Sequence, residues 1–183
     1  GVRFRPHVKP AKSLPVVQAQ LQAGGRGITV ATLKEAEQFF AAGIEDILYA
    51  VGIAAGKLPK VQALRRQGCD LKIITDNPAS AREVAAFGQA QGEAFEVWIE
   101  IDSDGHRSGI RPDDSEQLLA VARILDEGGM TLGGVMTHAG ASYELDTPEA
   151  LRALAEQERA ACVRAAGHLR AAGFACPNVS IGS

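Results

Sequence analysis

Four short stretches of this chain gather the side chains that could do chemistry. Arg5-Pro6-His7-Val8-Lys9 sets an imidazole and an amine two residues apart. Asp102-Ser103-Asp104-Gly105-His106-Arg107-Ser108-Gly109 collects two carboxylates, an imidazole and a guanidinium. Thr137-His138, with Ser142 and Tyr143 just beyond, adds a second imidazole and a phenol; Ser180-Ile181-Gly182-Ser183 adds hydroxyls beside a glycine. An amine such as that of Lys9 acts as nucleophile and base only where desolvation or a neighbouring charge lowers its pKa; otherwise it is a solvated surface lysine. Lys12 reads as surface or substrate-facing. His138 reads as readily as a satisfied core histidine, Tyr143 as loop packing, and a lone Gly-Ser is a weak phosphate signal. Asp102 to Gly105 begins like a calcium loop, but Asp113 stands where that loop needs a bidentate glutamate, and no helix pair flanks it.

Each stretch follows a short apolar run. Val2, Phe4, Pro6 and Val8 alternate with Arg3, Arg5, His7 and Lys9, the period of a strand, which Pro10 ends. A helix over 13–23 closes at Gly24. Strand two covers 28–31. Thr32 and Glu35 have the capping-box spacing for a helix ending at Gly43. Strand three covers 47–51, with a helix over 57–67, and strand four covers 71–75. Asn77-Pro78 caps a helix that ends near Gly92. Strand five covers 95–101, with a helix over 114–127, and strand six covers 132–138. Thr147-Pro148 opens the longest helix, to about 172, with Leu151, Leu154, Cys162, Ala166 and Leu169 on one stripe. Strand seven covers 179–181.

Seven strands and six helices in strict alternation predict a parallel α/β fold. The polar stretches follow strands one, five, six and seven, at the C-terminal ends where such folds place their sites. A doubly wound sheet fits the alternation, but polar loops after several successive strands favour a (β/α)8 TIM-type barrel. That barrel is incomplete here: an eighth strand is lacking, and an open barrel leaves two unpaired edges. The sequence therefore reads as part of a longer chain, and a polypeptide ending at Ser183 is expected to be unstable and inactive.

The bulk properties set the class. The 183 residues are 46% hydrophobic and 22% charged with formal net charge -3, enough for one domain over 1–183 with a sizeable core. There is no basic footprint for nucleic acid or for a membrane surface, and no apolar run of the ~20 residues a span requires. Cys69, Cys162 and Cys176 have no C-x-x-C partner and read as reduced, buried, cytoplasmic thiols. No secretory signal is present, and Gly1 is not an initiator methionine.

Taken in order, Arg5 to Lys9 with Lys12, Thr29 to Ala36, Ile101 to Gly109, Thr137 to Tyr143 and Val179 to Ser183 resemble the D-serine dehydratase-like family, which includes the D-threo-3-hydroxyaspartate dehydratases. These are pyridoxal-phosphate enzymes of the alanine-racemase fold, fold type III. The likeness runs through essentially the whole chain. It implies that Lys9 holds pyridoxal 5'-phosphate as a Schiff base, beside His7. Arg107 would approach the ring hydroxyl, His138 would contact the ring, and Tyr143 would stand near the pyridine nitrogen. Gly182 and Ser183 would begin the phosphate loop, whose amides and hydroxyls suit a dianion. The residue types agree with what a phosphorylated aldehyde cofactor needs.

The resemblance further implies a dehydratase (ammonia-lyase) of a D-β-hydroxy amino acid such as D-threo-3-hydroxyaspartate or D-serine, working as a homodimer. A D-threonine aldolase, and a non-catalytic pyridoxal-phosphate homeostasis protein of the barrel alone, are the alternatives. Pro10-Ala11-Lys12 departs from the family's Thr-His-Lys or Thr-Ser-Lys. The family's C-terminal β-domain, whose histidine and cysteine bind a divalent metal (Zn, Mn or Mg), is not within this chain. Its metal ligands are expected outside residues 1–183.

Overall fold

The computed structural model of the chain describes residues 2–182, so Ser183, one of the two residues expected at the phosphate, lies outside the described residues. The chain divides into two compact units, one up to Ile73 and one from Ile74 onward.

In the first unit the order is α1 (Leu14–Gln22), β1 (Ile28–Val30), α2 (Leu33–Ala41), β2 (Asp46–Gly52), a 3-10 turn at Ala55–Lys57, α3 (Leu58–Arg66) and β3 (Asp70–Thr75), whose last two residues belong to the second unit. β1, β2 and β3 are neighbours in that order, and β1 pairs parallel to β2 with Ile28 opposite Ile47. Their continuous apolar runs, with Ile28, Ile47, Leu48, Tyr49, Leu71 and Ile73 all buried, are those of strands covered on both faces. α2 begins where its capping box places it: Thr32 accepts from the Glu35 amide, and the Glu35 side chain accepts from the Thr32 amide.

The expected first strand does not form. Only His7 bridges, to Thr29, with Val8 N donating to Thr29 O (2.9 Å) and Thr29 N to Pro6 O (2.8 Å). Pro6 has no N–H to offer a further rung and Pro10 removes the next, so the ladder stops after one exchange. The described residues therefore hold six strands where seven were expected, and six of the eight that a closed (β/α)8 barrel requires. The alternation holds only for Pro6 and Val8, which are buried; Val2 and Phe4 are exposed.

Nor is the basic parity simply solvated. Arg5 donates to both Asp46 oxygens (2.8 and 2.7 Å), and the buried ammonium of Lys72 lies 2.5 Å from a carboxylate oxygen of Asp46 and of Asp70. Gly27, at φ +66°, lies so close that a Cβ there would strike Arg5 and Asp46. Burial disfavours the Asp46 charge, but Lys72 and Arg5 outweigh it and hold the carboxyl below its usual range.

The second unit runs α4 (Pro78–Gln91), β4 (Glu96–Glu100), α5 (Ser115–Glu127), β5 (Thr131–Met136), a 3-10 segment at Gly140–Glu144, α6 (Pro148–Ala171) and β6 (Asn178–Ser180). β4, β5 and β6 lie side by side and parallel. Side chains of Asn77, Asp114 and Thr147 cap the three helices by accepting amides of their first turns. α6 buries Leu154, Glu158, Ala161, Cys162, Ala165, Ala166 and Leu169. Leu151 falls off this face at 43% exposed, and a glutamate occupies the middle of the stripe. β5 stops at Met136, which leaves Thr137 and His138 to the loop. No described helix is long and apolar enough to cross a membrane.

Candidate active site

In the first unit, His7 and Lys9 stand at the exposed end of the bridged segment. Lys9 N donates to His7 Nδ1 at 3.2 Å, so the imidazole is folded back onto the turn that carries the lysine. Lys12 N donates to Val8 O at 2.9 Å and closes that turn.

In the second unit, the loops after β4 and β5 and the segment after β6 bring Arg107, His138, Tyr143 and Gly182 together. The loop after β4 is pinned at its base: Ile110 N donates to Glu100 O and Asp102 N to Ile110 O, both at 2.9 Å. Asp102 Oδ1 accepts the Gly105 amide at 2.7 Å, which turns the chain back. Gly109 is obligatory here, at φ +131° with a Cβ position that would strike the backbone of Ile101 and Asp102. Its amide donates to Asp76 Oδ2 (3.2 Å), and the Ser108 hydroxyl donates to Glu100 Oε2 (3.0 Å). Burial pushes the Glu100 carboxyl up to about 7, with Asp76 and Asp102 adding to the effect against Ser108 and Arg107.

Asp104 joins this loop to the one after β5. Its side chain is only 3% exposed, and it accepts the amides of Ala141 (2.8 Å) and His106 (3.1 Å). Burial opposes its charge, yet those amides, His106 and Arg107 hold the carboxyl below its usual range. Underneath, Thr137 Oγ1 donates to Ile101 O (2.7 Å) and lies 2.9 Å from the Ser103 hydroxyl, Gln157 donates to Ser103 O (2.6 Å), and Glu158 accepts the Ala139 amide (2.8 Å).

On this base the guanidinium of Arg107 lies 5.7 Å from the centre of the Tyr143 ring, within cation–π range. Tyr143 is 68% exposed. Its hydroxyl is 3.2 Å from His138 Nε2, and His138 Nδ1 is 3.5 Å from Gly182 O. Gly182 has φ +140° and open space where a side chain would begin. The cluster thus presents a cation, a phenol and an imidazole sharing one proton, and a bare backbone. Such a donor set fits an anionic aromatic ring with a phosphate, as pyridoxal phosphate is.

Sequence reasoning named the exposed members of this cluster and Asp104 beside them, and missed the carboxylates beneath them, the half-buried Glu100 and the buried Glu158. Glu158 had a readable signal: it lies four residues from both Leu154 and Cys162, on the buried stripe. Among the described residues no three histidines, cysteines, aspartates or glutamates group as metal ligands. The cysteines are free and buried.

The family model of the alanine racemase N-terminal domain matches residues 1–183. The chain belongs to that family. It is 68% identical over 183 residues to the D-threo-3-hydroxyaspartate dehydratase of Delftia sp. (strain HT23), covering all of this chain and 48% of that one. The solved structure of that dehydratase superposes with a TM-score of 0.98 over the whole chain and 48% of its own. A D-serine dehydratase of Dictyostelium discoideum is 29% identical over 195 residues, covering all of this chain and 49% of its own. The chain spans about half the length of the curated relatives it matches.

Proposed function

We propose that the protein is a pyridoxal-phosphate-dependent dehydratase that converts a D-β-hydroxy amino acid, D-threo-3-hydroxyaspartate before D-serine, to a 2-oxo acid and ammonia. The observation that carries the reading is the 68% identity to the Delftia dehydratase along the entire chain, with no site stretch omitted. When bound, the cofactor supplies an electron sink for the charge left at the substrate Cα. Lys9 Nζ would hold the cofactor and then take the proton from Cα. Arg107 would face the anionic side of the ring, while Tyr143 Oη and His138 Nε2 hold a proton between them beside it. The Gly182 backbone and Ser183 would take the phosphate.

The test is product analysis on the intact, cofactor-loaded protein with D-threo-3-hydroxyaspartate. Loss of water leaves an enamine whose hydrolysis gives oxaloacetate and one ammonia. Cleavage of the Cα–Cβ bond gives glycine and glyoxylate instead. Ammonia equimolar with oxaloacetate is expected; glycine with glyoxylate would make it an aldolase, and neither product from cofactor-loaded protein would make it a carrier.

A further inference from the structure

The turn that carries Lys9 holds a strained residue beside a buried charge. Lys12 is the one described non-glycine residue at positive φ, +46°, a region disfavoured for a side chain with a Cβ. Its amide closes the turn on Val8, and Val8, fully buried, is bonded to β1 through Thr29. Lys9, Pro10 and Ala11 therefore hang between two fixed points, of which Lys12 is the second.

What fixes Lys12 is Glu35. Glu35 is 7% exposed at the start of α2, and its Oε2 accepts the amides of Ala31 (2.8 Å) and Thr32 (3.2 Å). Its other oxygen, Oε1, is wholly buried and has no hydrogen-bond partner; the Lys12 ammonium stands 3.2 Å from it as an ion pair. A capping-box glutamate needs only the first oxygen. The second has only the Lys12 charge to offset it, and losing that charge would leave a buried, uncompensated carboxylate oxygen, a cost that holds Lys12 in the left-handed region. Burial opposes the Glu35 charge, but the Ala31 amide, Lys12 and Thr32 keep its carboxyl below the usual range. An ordinary surface ion pair would have neither the strain nor the buried carboxylate oxygen.

We propose that Lys12 and Glu35 are positioning residues for Lys9, fixing the turn from which its amine reaches the cofactor. This rests on the reading that Lys9 is the cofactor lysine. The ammonium of Lys12, on a side chain 62% exposed, is drawn toward Glu35.

The experiment uses the intact protein, stripped of cofactor and reloaded with pyridoxal phosphate. The rate at which the visible band of the lysine-bound cofactor grows is followed, and borohydride reduction with peptide mapping locates the pyridoxyl group. Lys12→Met is expected to leave the label on Lys9 while slowing attachment about ten-fold, the loss of one charge-assisted contact. Lys12→Arg is expected to restore it to within about two-fold, since Arg keeps the charge and donors. Lys12→Gly relieves the backbone strain yet lacks the ammonium, and is expected to be as slow as Lys12→Met. Wild-type attachment rates in Lys12→Met and Lys12→Gly, or an arginine variant no faster than methionine, would overturn the proposal. A label on another lysine in the wild-type protein would instead overturn the assignment of Lys9.

Discussion

Glu100 shows how a single residue reports its surroundings. Its carboxyl is pushed up to about 7 from an ordinary 4.5, first by burial, then by Asp76 and Asp102. Between those two values the folded chain keeps a proton that the unfolded chain has lost. Stability from this group is thus complete below about 4.5 and is lost as pH rises through about 7. The expected outcome is that the wild-type melting temperature falls relative to that of Glu100→Gln as pH rises from 5 to 7.5, by the equivalent of about 1–3 kcal/mol. Parallel melting curves across that window would remove Glu100 as the titrating group. The sequence does not disclose this. Lys9, Arg107, His138 and Tyr143 are legible by type and spacing because they are exposed at loop ends, whereas a glutamate's burial depends on what packs over it. Glu35 was legible as a cap, by its spacing from Thr32, but not as the buried partner of Lys12.

At the scale of elements, caps and prolines were the reliable marks. Thr32 with Glu35, Asn77 with Pro78, and Thr147 with Pro148 open helices within a residue of where their spacing places them. The failures came where hydrogen bonding had to be counted rather than polarity. The alternation at residues 2–9 satisfies a strand's period, yet Pro6 and Pro10 deny it the donors for more than one bridge. The 3-10 segment carrying Tyr143 read as loop because its geometry is set from outside, by Asp104 on the neighbouring loop. That dependence is testable. Asp104→Ala leaves the amides of Ala141 and His106 without an acceptor, a loss of about 1–3 kcal/mol locally. Hydrogen exchange at those two amides is expected to accelerate by at least ten-fold, while the Ala139 amide, held separately by Glu158, stays protected. Equal acceleration at all three would mean that the loops move as one body and Asp104 is not their tie.

At the scale of the whole molecule, the alternation of strands and helices gave the fold class, and the family match agrees with it. What the sequence does not carry is the division at Ile73 and Ile74, because β3 continues through it without a linker. The three thiols sample both units: Cys69 lies in the first, Cys162 and Cys176 in the second. Each is buried, and burial pushes the Cys69 thiol up to about 11 and the Cys162 thiol up to about 12, so almost no thiolate exists at pH 8. A disulfide reagent needs both access and thiolate, and the folded chain withholds both. All three are expected to resist 5,5'-dithiobis(nitrobenzoate) in native buffer and to react fully in guanidinium, with peptide mapping assigning each label. The concentration at which Cys69 becomes reactive then measures the first unit, and that for Cys162 and Cys176 the second. Labelling of any of the three in native buffer at the rate of a free thiol would contradict the packing of the helix or strand that covers it.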